Sequence, residues 1–365
     1  VENVESKAML HFDIEAVFRW VDAIFQTPSD RLHRIGRRAL KNVLMHNQGS
    51  TLLLSQVIRR CYIGDAALKA TQSYFAVVSD VLIEVPDYLH GLYQTISLCL
   101  FKIGDENAEV RTKAATLLRV TEERNFPISK VQDYEVSISD KTAAVYKRAQ
   151  FELSKALSKI HPEEALYVFS EFTMFFSAVD AKAQRGILAV LLPWIQTFEL
   201  QLDPNGDSTP ASYMIMANLF EITIKFSNKI HNEVEALWVA LANAPYAGNV
   251  KVVLEFIINQ SLERREQSFV EFGKQVVVFL ASTPAGVKLV EALIGHLQPR
   301  LMTINQREPS PLPEDTRFPY LASLSAALPA ANKQVSICVA LIALLSRFGS
   351  LIGYIRMDSR MGTWP

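Results

Sequence analysis

Apolar residues recur every three or four positions along almost the whole chain, which is the period of one face of an α-helix. Strand-like alternation bounded by Asn-Gly or Asp-Gly turns is nearly absent. The pattern predicts an all-α protein. Glycines and prolines fall between the periodic segments, where helices stop and start. Helices are predicted over 13–25, 31–46, 50–62, 65–85, 86–103 and 107–123. After a polar segment at 126–140 they resume over 142–160, 162–178 and 181–198, then from about 211, and over 233–241, 250–260, 267–281 and 284–297. The connections leave no room for crossovers, so neighbouring helices are read as antiparallel, stacked pairs. This divides the chain into helical repeats over 1–125, their continuation over 126–202, a loop at 203–210, further repeats over 211–307, and a last stretch, 308–365. That stretch holds a Pro-rich loop, one apolar helix and a poorly patterned tail.

Within this frame the run from Asp105 through Glu109, Val110 and Ala114 to Leu117 and Leu118 resembles the second helix of a HEAT repeat. In that motif acidic residues open the helix and Val, Ala and Leu face inward. The fold class is therefore read as a HEAT/armadillo-like α-solenoid. The tryptophans Trp20, Trp194 and Trp238 sit in apolar helical patterns and are expected in the core.

Composition supports a folded chain. Of 365 residues, 49% are hydrophobic and 21% charged, enough apolar surface for a large core. Lys and Arg number 37 against 38 Asp and Glu, so no global field attracts nucleic acid or an acidic membrane. Three cysteines, Cys61, Cys99 and Cys338, lie far apart in apolar runs and suggest neither a disulfide framework nor a zinc site, which fits a reducing compartment. The longest apolar run, 335–345, is interrupted by Arg347 well short of the ~18–20 residues a membrane span needs. The chain opens Val1-Glu2-Asn3, without an initiator Met or a secretory leader, and is read as a fragment or processed product.

A search for chemistry assigns no catalytic, cofactor or metal residues. The seven histidines, His11, His33, His46, His90, His161, His231 and His296, form no His-Glu-x-x-His pair. Gly273-Lys274 lacks the upstream glycine of a phosphate loop, and no nucleophile elbow or kinase motif occurs. The densest charge feature is a row of Arg31, Arg34, Arg38 and Lys41 on one face of the second helix, with Leu32, Ile35, Ala39 and Val43 expected in the core behind it. Two readings of the row stand: a docking surface for an acidic partner, since guanidinium groups pair strongly with carboxylates and phosphates, or an ordinary solvated face. Ser310, followed by Pro311 in a polar loop, is a candidate phosphorylation site.

From about residue 191 the chain resembles a known family. Leu192-Pro193-Trp194-Ile195, Glu235-Ala236-Leu237-Trp238, the run 249–258, Gly273-Lys274-Gln275-Val276 and Leu324-Ser325-Ala326-Ala327-Leu328-Pro329 are similar to the central region of the Furry, Mor2 and Tao3 cell-morphogenesis proteins. The resemblance implies a fungal source and a non-catalytic scaffold segment of a very long helical-repeat protein. Its implied partners are proteins, an NDR-family kinase and a Mob co-activator, in the cytoplasm at the cortex or at sites of polarised growth. Rival readings are a generic HEAT-repeat adaptor of the transport or phosphatase-scaffold kind, and a helical enzyme with an unrecognised site.

Overall fold

The computed structural model describes residues 13–62, 68–125, 131–202, 208–243, 245–246, 248–264, 267–281, 283 and 286–289. It is all-α, and strand pairing among the described residues is confined to one isolated bridge between Leu202 and Ser208. The chain divides into two compact units at Trp194/Ile195.

In the first unit run α1 (Ile14–Phe25), α2 (Asp30–His46), α3 (Thr51–Tyr62), α4 (Leu68–Glu84), α5 (Leu92–Ile103), α6 (Ala108–Asn125), α7 (Val131–Ser139), α8 (Ala143–Ile160), α9 (Ala165–Phe175) and α10 (Ala181–Ile195). Local chemistry sets their starts. The Asp13 carboxylate accepts the Ala16 N–H at 3.1 Å, and the Ser29 hydroxyl accepts the Leu32 N–H at 3.4 Å, each satisfying a donor the first turn leaves open. Helices pair across the short links, α1 with α2, α3 with α4 and α5 with α6. They also stack on like neighbours, α2 on α4 on α6 and α3 on α5 on α9, which is the two-layer arrangement of a solenoid. The HEAT-like expectation for α6 holds: Val110, Ala114, Leu117 and Leu118 are buried.

In the second unit α11 (Pro210–Phe226), α12 (His231–Ala242), α13 (Asn249–Arg264) and α14 (Gln267–Ala281) repeat the scheme, with α11 against α13 and α12 against α14. Pro210 occupies the first turn of α11, where its missing N–H costs nothing. The Phe220 ring stacks on Phe269 at 4.1 Å and meets Trp238 edge-on at 6.4 Å.

Two tryptophans use the same device. Trp194 and Trp238 are fully buried, as expected; the first donates its indole N–H to the Ser154 hydroxyl and the second to the Thr223 hydroxyl, both at 2.9 Å. Each hydroxyl in turn donates to a backbone carbonyl, that of Val190 or Leu219. The ring is thus buried without an unpaired donor.

Four expectations are corrected. Trp20 is 48% exposed, because α1 buries Phe18, Val21 and Phe25 at i, i+3 and i+7 and Trp20 lies off that stripe. The stretch 86–103 is not one helix: α5 begins at Leu92, after Gly91. The polar segment 126–140 contains α7, whose nine residues bury only Val131 and Ile138, too few for a periodic signal. Finally, α2 buries His33, Gly36, Leu40 and Leu44, while Leu32 is 39% and Ile35 48% exposed. The expected core face is therefore about 100° from the real one.

Candidate functional site

The rotation of α2 has a local cause. His33 is buried because both ring nitrogens find partners, Nδ1 with the Ser73 hydroxyl and Nε2 with the Thr27 carbonyl, each at 2.8 Å, while the ring packs 5.3 Å from Phe25. Gly36 lets α1 come close: a Cβ there would lie 2.8 Å from the Phe25 ring and 2.9 Å from Ile24. A histidine and a glycine thus hold positions that a hydrophobicity pattern assigns to the surface.

With that face inward, Arg31, Arg34 and Arg38 point to solvent along one side of α2. Among the described residues none of the three has a carboxylate within ion-pair distance, whereas Lys41, half-buried, is paired with Glu84 at 2.5 Å. The row reduces to three unpaired guanidinium groups, and Ile35 and Leu32 continue the exposed arc beside it. A surface of this kind suits a segment carrying both carboxylates and apolar side chains. Ser310 lies outside the described residues.

The first unit also holds ionisable groups in its interior. Burial pushes the Cys61 thiol up to about 12 and raises Cys99 further, with Lys102 opposing at Cys61 and Glu122 reinforcing at Cys99. Burial lowers Lys102, on α5, and raises the Glu171 carboxyl, on α9, to about 7. Each moves toward its neutral form, as desolvation alone requires. The arrangement keeps these groups toward their neutral forms inside a packed core. Among the described residues no three His, Cys, Asp or Glu side chains gather to hold a metal, and no helix is long and apolar enough to cross a membrane.

Sequence reasoning passed over Arg111, which is 1% exposed. Its guanidinium donates to the carbonyls of Ile138 (2.7 Å), Asp105 (2.9 Å), Glu106 (2.8 Å) and Asp140 (2.5 Å) and lies over the Tyr146 ring at 4.0 Å. One side chain closes the loop before α6 and the end of α7. The clue available in the sequence was an Arg one residue past Val110, within an inward-facing helix turn.

Stacked helix pairs with chemistry on their outer faces define a helical-repeat protein of the solenoid class. The match to known proteins narrows this: residues 26–291 fit the model of the cell morphogenesis central region, and the chain belongs to that family. It is 29% identical over 336 residues to the cell polarity protein mor2 of Schizosaccharomyces pombe, covering 92% of this chain and 15% of that protein. It is 26% identical over 302 residues to the cell morphogenesis protein PAG1 of Saccharomyces cerevisiae, covering 82% of this chain and 12% of that one. The chain thus spans about one-seventh of the length of these fungal relatives.

Proposed function

We propose that this chain is a non-catalytic scaffold segment within a long morphogenesis protein. It holds an NDR-family kinase and its Mob co-activator at the cytoplasmic cortex during polarised growth. Family membership supports the setting, and the observation that carries the docking role is the row of Arg31, Arg34 and Arg38. These are three guanidinium groups without ion-pair partners among the described residues, bordered by exposed Ile35 and Leu32. Three unpaired like charges on one helix face repel one another, and an acidic partner relieves that repulsion while covering the apolar border. A solenoid carrying such a surface holds bound proteins at fixed separation and raises their effective concentration for one another.

Affinity purification of the chain from a fungal lysate tests the reading. Recovery of an NDR-family kinase with Mob supports it. Recovery of transport factors or phosphatase subunits in their place points to a generic helical-repeat adaptor.

A further inference from the structure

A second surface, opposite in charge to the arginine row and independent of the kinase reading, lies where α9 packs on α5. Glu164, Tyr167, Glu171 and Met174 are spaced i, i+3, i+7 and i+10 and form one stripe along α9 and the turn that leads into it. Tyr167 is 56% exposed and its ring stacks on Tyr93 of α5 at 5.4 Å, with 28° between planes. Gly91 makes room for that pose: a Cβ there would fall 2.3 Å from the Tyr93 ring.

Two carboxylates converge on this aromatic pair. Glu164 accepts the backbone N–H of Tyr93, and Glu164 and Glu171 both act electrostatically on the Tyr93 hydroxyl. Glu171 is only 4% exposed, and no hydrogen-bond donor or cation of the described residues meets it. The neighbouring Tyr62 hydroxyl, also buried, has no hydrogen-bond partner among the described residues. Among the described residues Glu163, beside Glu164, is paired with His161, at 3.4 Å. Carboxylates gathered beside an exposed aromatic stack, with no Lys or Arg of the described residues paired to them, leave the buried Glu171 without a counter-charge.

We propose that this surface receives an arginine side chain of a protein partner. Its guanidinium lies flat on the Tyr93–Tyr167 stack and pairs with Glu164, its charge also felt by the buried Glu171 nearby, and its aliphatic stem runs along Met174. The planar, five-donor guanidinium matches both the aromatic face and the carboxylates, which a compact ammonium does so less well.

The test uses the 365-residue chain, with labelled tyrosines observed by NMR, and two short Gly/Ser peptides. One carries a single arginine and the other citrulline, its neutral isostere, at the same position. The arginine peptide is expected to shift the Tyr167 signal saturably and to bind about tenfold more tightly than the citrulline peptide. Glu171→Gln and Tyr167→Ala are each expected to weaken it roughly fivefold or more. Both variants are built to stay folded, since one replaces a buried carboxyl with an amide of the same shape and the other removes an exposed ring. Equal binding of the two peptides, no saturable shift, or wild-type affinity in both variants would overturn the proposal and leave Glu171 as a buried acid with a packing role.

Discussion

Arg111 meets four carbonyls and, among the described residues, no carboxylate within ion-pair distance. Its charge is solvated by peptide dipoles, two of them at the end of α7, where helix carbonyls carry partial negative charge. Lysine at this position offers one ammonium for four acceptors and no flat face for Tyr146. Arg111→Lys is therefore expected to destabilise the first unit by about 3 kcal/mol, read as a lower urea midpoint with unchanged slope. Glu171 presents the opposite case, a carboxyl whose ionised form has nothing among the described residues to solvate it. Its carboxyl titrates near 7 in the folded protein, against about 4.5 normally, so the folded state keeps a proton that the unfolded chain has released. Its contribution is fully present below the ordinary carboxylate range and declines as pH rises through about 7, by an amount on the order of 3 kcal/mol. Glu171→Gln should flatten that part of the stability–pH curve and leave the variant more stable than wild type at pH 8. An unchanged curve would contradict the burial argument.

Single elements show what a hydrophobic pattern conveys and what it omits. The existence of nearly every helix, their pairing and the core positions of Trp194, Trp238 and the α6 turn were legible, because each rests on repeated apolar spacing. The rotation of α2 was not, because it depends on contacts with α1 and α4 that reward a histidine with two partners and a glycine with no side chain. The basic row was visible in the sequence, whereas the exposed Ile35 and Leu32 beside it followed only once α2 was seen in place. The acidic–aromatic stripe of α9 was missed, since Tyr93 and Tyr167 are 74 positions apart and meet only through the packing of α5 on α9. The same logic makes one substitution act in opposite directions in two helices. Gly36→Ala forces a Cβ into a Phe25 ring held between His33 and Tyr74, and overpacking outweighs the gain in helix propensity, for a net loss of about 1 kcal/mol. Gly186→Ala, in α10, meets nothing within 4 Å and should gain roughly 0.5–1 kcal/mol. Melting curves of the two variants should move apart on either side of wild type.

Across the molecule, buried side chains support packing and surface side chains are left for partners. The interior hydroxyl–indole pairs and the Arg111 clamp fix helices in their layers. In the second unit Asn249 donates to the carbonyls of Phe198 and Leu241 and accepts the Leu200 N–H, tying three segments together. What the layers present is an arginine row on α2 and, through α5 and α9, an acidic aromatic stripe. A scaffold needs such surfaces and a rigid frame between them. The claim that the chain holds a kinase module is tested most directly by binding of purified NDR-family kinase–Mob complex to the chain and to its Arg31→Glu, Arg34→Glu, Arg38→Glu variant, with helicity checked by circular dichroism. Saturable binding by wild type that falls about tenfold or more in the equally helical variant is the predicted result, and it should weaken with salt. No binding by the folded wild-type chain, or equal binding by both, would contradict the account.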